Sequence, residues 1–134
     1  MELKNLLTLV IDDDVYKSFD IRRALKNCGI VDIVIVRDQK TAFELLHEHQ
    51  KEKTPFGLVV SDMHYPLEAG READKEAGFQ FVERAKEEGF ILPVILCSSV
   101  RYSGNGMGIL GAVWYSKTRD LTQDFRNVLQ KLEK

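Results

Sequence analysis

The run Leu6-Leu7-Thr8-Leu9-Val10-Ile11 stops abruptly at Asp12-Asp13-Asp14. It is short, continuous and partly β-branched, the pattern of a strand covered on both faces. Working outward, similar runs follow at Val31-Asp32-Ile33-Val34-Ile35-Val36, Leu58-Val59-Val60-Ser61, Pro93-Val94-Ile95-Leu96-Cys97 and Ala112-Val113-Trp114-Tyr115, and the third ends at another aspartate, Asp62. Segments with helical spacing lie between and after them. Ile21, Leu25 and Cys28 lead to Gly29, and Ala42, Leu45, Leu46 and His49 follow a capping Asp38. Phe81, Val82 and Ala85 are closed by Gly89, and Leu121, Phe125, Val128, Leu129 and Leu132 form the clearest stripe. The exception follows the fourth strand, where Gly104, Gly106 and Gly108 stand in place of helix formers. Each glycine costs a helix interior about 1 kcal/mol relative to alanine, so this helix is expected to be short or missing.

Buried strands alternating with amphipathic helices define an α/β chain with a parallel sheet covered on both faces. At 134 residues the expectation is a single domain spanning 1–134, large enough for a core without disulfides or structural metal. Hydrophobic residues make up 44% and charged residues 30%, a globular balance that excludes a disordered or collagen-like chain. The net charge of −2 offers no basic excess to neutralise phosphates, which argues against direct nucleic-acid binding. No apolar run is long enough to span a bilayer and no signal peptide is visible, so no membrane role is expected. Cys28 and Cys97 make no disulfide framework and are expected to be inert core thiols in a cytoplasmic protein.

In open parallel sheets, ligands bind at the carboxyl ends of the strands. Here those ends carry Asp12-Asp13, Asp62, Ser98-Ser99 and Ser116-Lys117. Three carboxylates brought together repel, and each would rather keep its proton. A divalent cation removes that conflict, and oxygen ligands without Cys or His favour Mg2+ or Mn2+. A lysine facing the acids can then neutralise a phosphoryl group. Taken singly, the aspartate run is also what a turn and helix cap use, and Lys117 is what a solvated surface uses.

At these residues the chain resembles the receiver domain of bacterial two-component response regulators. The resemblance rests on Val10-Ile11-Asp12-Asp13-Asp14, Val59-Val60-Ser61-Asp62-Met63-His64-Tyr65-Pro66, Pro93-Val94-Ile95-Leu96-Cys97-Ser98-Ser99, and Gly111-Ala112 leading to Lys117, and it covers essentially the whole chain. It implies a doubly wound, five-stranded parallel sheet of flavodoxin-like order 2-1-3-4-5. It implies Asp62 as phosphoacceptor, with Mg2+ as cofactor held by Asp12, Asp13, Asp62 and the backbone carbonyl of His64. Ser98 would donate its hydroxyl to a phosphoryl oxygen, and Lys117 would pair with Asp62 or its phosphoryl group. The partners implied are a sensor histidine kinase or phosphotransfer protein upstream and a protein target downstream. With the chain filled by the fold, the expectation is a stand-alone signalling domain, not a turnover enzyme, that catalyses only its own phosphorylation and dephosphorylation.

Several residues depart from the family pattern. Thr118 stands where the family has a proline after the lysine, and the stretch from Asp62 to Gly78 is longer than usual. Its extra residues, around Glu68–Glu76, are mostly charged and are expected to supply recognition surface beside the acceptor. The switch aromatic is Trp114 by counting back from Lys117 and Tyr115 by matching the tyrosine. Two other functions stand beside the leading one. The first is a receiver-like interaction module that works without phosphorylation. The second is a small phosphohydrolase with Asp62 as nucleophile, against which His64 replaces the second acid such enzymes carry.

Overall fold

The computed structural model describes residues 2–103 and 106–133. Five parallel strands form the main sheet: β1 (Thr8–Ile11), β2 (Ile33–Val36), β3 (Leu58–Ser61), β6 (Val94–Ser98) and β7 (Gly111–Trp114). Their order is β2-β1-β3-β6-β7, the flavodoxin-like order expected. A two-stranded antiparallel hairpin, β4 (Tyr65–Pro66) and β5 (Ala73–Asp74), stands apart from it. The α-helices are α1 (Val15–Asn27), α2 (Gln39–Lys51), α3 (Ala77–Glu87) and α4 (Leu121–Leu129).

The inner strand β1, between β2 and β3, is buried along its whole length. Its pleat divides the core in two, as alternating side chains require. Leu9 and Ile11 pack with Phe43, Leu46, Phe81 and Val82 of α2 and α3. Val10 packs on the opposite face with Ile21, Leu25, Phe125 and Leu129 of α1 and α4. Aspartates start three of the helices: Asp14, Asp38 and Asp120 each accept a backbone N–H from the first turn, at 3.0, 2.8 and 3.0 Å. Helix α1 ends through Cys28 into Gly29 at φ +100°, a conformation that a side chain would strain.

The parallel register ends β1, β2 and β3 at one level, with Ile11 opposite both Val36 and Ser61. The ladder runs one step further, because the amide of Asp12 reaches the Val36 carbonyl at 3.0 Å and that of Asp62 the Ile11 carbonyl at 2.9 Å. Two aspartates are thereby set side by side at the sheet edge. No helix occurs among the described residues between Ser98 and Gly111; Gly104 and Asn105 lie outside them. The segment is instead tied down by point contacts, Lys86 Nζ to the Met107 carbonyl at 3.1 Å and the Leu110 amide to the Val94 carbonyl at 2.8 Å.

The charged stretch around Glu68–Glu76 forms the tip and second strand of the β4–β5 hairpin. Tyr65 pairs with Asp74 and Pro66 with Ala73. Tyr65 is fully buried, so the hairpin is anchored through its first strand while its tip stays exposed. No described helix is long and apolar enough to cross a membrane.

Candidate functional site

The Asp12-Asp13-Asp14 run divides its labour. Asp12 is fully buried and its Oδ1 accepts the Asp14 amide at 2.9 Å. Asp14 faces the other way and caps α1. Asp13 lies exposed between them, and one carboxylate oxygen from each of Asp12, Asp13 and Asp62 falls within 4.8 Å of the others. The acceptor candidate Asp62 is 12% exposed through its side chain, and its Oδ1 accepts the Met63 amide at 2.7 Å.

The backbone behind Asp62 is braced. Ser61 Oγ donates to the Asp62 carbonyl at 2.8 Å and lies 3.2 Å from the Tyr65 hydroxyl, which donates to the Ala77 carbonyl at 3.4 Å. Gly78, where α3 begins, presses against this turn. A Cβ there would lie 2.7 Å from the Asp62 carbonyl oxygen and 3.1 Å from Met63 Cα. Only glycine allows the helix that close. Arg37, just past β2, donates to the Asp12 carbonyl and the Ser18 hydroxyl, both at 3.0 Å, and so fixes the end of β1 to α1.

The cation at the site comes from an unexpected place. Lys17, in the first turn of α1, puts its ammonium 2.8 Å from Asp12 Oδ2 and 2.8 Å from Asp62 Oδ1, and donates to the Cys97 carbonyl at 2.8 Å. Its side chain is only 5% exposed. Burial alone would depress the lysine's pKa, but the neighbouring charges, Asp12 foremost, raise it instead, so it stays protonated. Lys117, expected to pair with Asp62, makes no such pair. The last strand ends at Trp114, opposite Ser98, so Lys117 lies three residues past the sheet. The chain turns there, with the Arg119 amide on the Ser116 carbonyl at 3.1 Å. The lysine is exposed at a separate cavity of about 370 Å³ that it shares with Asp20 and Arg23.

Ser98 ends β6 at the same edge and is buried. Its Oγ accepts the Val100 amide at 3.1 Å, and its hydroxyl proton has no acceptor among the described residues. His64 is half-buried two residues beyond Asp62. The two candidate switch aromatics part company. Trp114 donates its indole N–H to the Ser99 carbonyl at 3.0 Å. Tyr115 sets its ring 5.8 Å from the Lys17 ammonium and hydrogen-bonds its hydroxyl to Asp20 on α1, which pushes the phenol up to about 12. Cys97 is a buried thiol pushed up to about 12 by burial, consistent with an inert core residue.

The electrostatics leave a deficit of positive charge. Burial pushes Asp12 up to about 6, against the pull of Lys17 and with the charge of Asp62 adding to the rise. Asp13 is raised too, by burial and then by Asp62 and Asp14. Three carboxylates against one ammonium leave two negative charges, which a dication would offset. Asp12 Oδ2 is buried and has no aligned hydrogen bond, although Lys17 is near it. Asp62 Oδ2 has no partner among the described residues, and the exposed Asp13 carboxylate is met by the backbone N–H of Asp13 itself. An all-oxygen set with open lone pairs fits Mg2+ or Mn2+.

The fold is that of receiver domains. The receiver domain of the histidine kinase CKI1 from Arabidopsis thaliana, solved with Mg2+ and BeF3−, is similar with a TM-score of 0.68 at 18% identity, over 98% of this chain and 91% of that one. The chemotaxis response regulator CheY4 of Vibrio cholerae gives 0.66 at 18% identity, over 95% and 98% of the two chains. The Mn2+-bound response regulator Rcp1 gives 0.64 at 20% identity, over 96% and 91%. At such identities the likeness is one of fold. No family model and no curated protein matches the chain.

Proposed function

We propose that this chain is a phosphoacceptor receiver. Asp62 takes a phosphoryl group from the phosphohistidine of a sensor histidine kinase or phosphotransfer protein, in the cytoplasm, with Mg2+ as cofactor, and a partner protein reads the result. The observation that carries this reading is the state of the Asp62 carboxylate. Its Oδ1 is held by the Met63 amide and the Lys17 ammonium, while Oδ2 has no partner among the described residues at the edge of an acidic cluster. One oxygen is anchored and the other is free to attack. The Mg2+- and Mn2+-bound neighbours of the same fold support the choice of cofactor.

Asp12, Asp13, Asp62 and the His64 carbonyl would hold the cation, whose charge offsets that of the phosphoryl oxygens. The rest is the work of the chain. Oδ2 of Asp62 forms a bond to phosphorus as the phosphorus–nitrogen bond of the donor breaks, and the departing imidazole keeps the electron pair. Ser98 donates its free hydroxyl proton to a phosphoryl oxygen. A loose phosphoryl-transfer transition state needs positioning and charge more than covalent help, and the braced Asp62 turn supplies the positioning. The chain acts on no other substrate in this reading.

The test is intact-mass analysis after incubation with Mg2+ and a small acyl-phosphate donor. The wild-type chain is expected to gain one phosphoryl group, and Asp62→Asn none. A variant that gains phosphate as well as the wild type removes the assignment. A wild-type chain that gains none favours the second reading, an interaction module independent of phosphorylation. The structural feature on that side is the lack of a helix among the described residues after Ser98.

A further inference from the structure

We propose that Lys17 is the charge-positioning residue of this site, occupying the role that the sequence resemblance gives to Lys117. The inference deepens the phosphoacceptor reading and rests on it. Lys17 sets its ammonium 2.8 Å from each of three oxygens, in ion pairs with Asp12 and Asp62 and a hydrogen bond to the Cys97 carbonyl. It therefore ties together the ends of β1, β3 and β6, the strands that build the site.

Three features mark this lysine as more than packing. It sits in the first turn of α1, where the helix dipole favours anions and opposes a cation. Its position continues the buried stripe of Ile21 and Leu25 by one turn, where an apolar side chain would fill the space without desolvating a charge. The Cβ of a helical residue points back toward the N-terminus, so a long side chain at this place reaches the strand edge it came from. Lys117 cannot substitute, being exposed on a turn beyond the sheet.

Two chemical consequences follow. Lys17 holds Oδ1 of Asp62, which aims Oδ2 outward as the nucleophile, and its ammonium then lies beside any phosphoryl group attached to that carboxyl. It also competes with a divalent cation for the same carboxylates. Removing it should push two observables in opposite directions: metal affinity rises while phosphoryl transfer slows. A lysine that only supported the fold would lower both.

The full-length chain is titrated with Mn2+ by calorimetry and phosphorylated with a small acyl phosphate at saturating Mn2+. Lys17→Met and Lys17→Gln are each expected to bind Mn2+ about tenfold more tightly. Two cations drawn to the same carboxylates repel, and even at the dielectric constant of water repulsion at contact range is worth about a factor of ten. Both variants are expected to phosphorylate about 100-fold more slowly, the usual loss when one preorganised donor is removed. Lys117→Met is expected to match the wild type in both assays, a comparison that stands even if the Lys17 variants fold poorly. Wild-type phosphorylation in a folded Lys17 variant overturns the proposal, as does a loss of metal affinity there or a hundredfold loss in Lys117→Met. The metal titration needs no phosphoryl transfer. A wild-type chain that accepts no phosphate therefore sinks the receiver reading while the titration still decides the role of Lys17.

Discussion

Asp12 should make the metal-free protein less stable as the pH rises, the opposite of the usual behaviour of a carboxylate held in a salt bridge. Its folded-state pKa is about 6 against an ordinary 3.8, because burial outweighs the pull of Lys17. Between those values the folded chain binds a proton that the unfolded chain has released. Stability then falls with pH, fully present below about pH 4 and lost as the pH passes 6. At 1.36 kcal/mol per pH unit the gap is worth about 3 kcal/mol, a large part of a typical domain's stability. The assay is urea denaturation in chelator at pH 4, 5, 6 and 7, on the wild type and on Asp12→Asn. Asp13, raised in the same direction, is present in both chains, so the difference between the two curves isolates Asp12. The wild type is expected to lose about 3 kcal/mol more than the variant across this range. Saturating Mg2+ at pH 7 should restore most of it, since a ligand at 100 times its Kd adds about 2.7 kcal/mol. Parallel curves, or a wild type that gains on the variant between pH 4 and 6, would refute the electrostatic argument.

Two further outcomes follow from the geometry. Gly78→Ala places a methyl 2.7 Å from the Asp62 carbonyl, and overpacking of this kind costs about 1–3 kcal/mol; denaturation should show that loss and intact mass a slower phosphorylation, whereas a neutral substitution would mean that α3 moves away freely. Hydrogen exchange with and without a phosphoryl mimic is expected to change protection in the exposed hairpin around Glu68–Glu76 at least as much as in residues 106–117, because β4 starts three residues after Asp62. Changes confined to 106–117 would return the output to the last strand and its preceding loop.

Most of the fold was legible because the strands are hydrophobic on both faces. Such runs stand out without any alternation: Leu6–Ile11 and Leu58–Ser61 contain β1 and β3, and Pro93–Cys97 covers all of β6 but its last residue, Ser98. The spacing of Gly104, Gly106 and Gly108 foretold a weak element after Ser98, and the described residues there contain no helix. The β4–β5 hairpin was hidden because a pair of two-residue strands has no periodicity to detect. Its one signal was Tyr65, an aromatic whose hydroxyl finds partners in Ser61 and Ala77. A run of charges such as Glu68–Glu76 looks the same in a hairpin tip as in a loop.

The acids of the site were legible for a different reason: a carboxylate that ends an apolar run must sit at the strand edge. The lysine was not, because a family pattern drew attention to Lys117, whose place in sequence suits a strand ending two or three residues later than β7 does. With Trp114 opposite Ser98, β7 ends three residues short of Lys117. Yet a signal for Lys17 was present. Ile21, Leu25 and Cys28 define the inward stripe of α1, and stepping back one turn from Ile21 lands on Lys17. A lysine on the inward stripe of a helix must find a carboxylate or not fold there, since an unpaired ammonium is too costly to bury. The nearest buried acid in the chain is Asp12, five residues earlier at the end of the strand that feeds this helix. The pairing of Lys17 with Asp12 was therefore implied by helical periodicity and charge alone. What periodicity could not supply was the second partner, Asp62, which comes within 2.8 Å only because β3 lies beside β1 in the sheet.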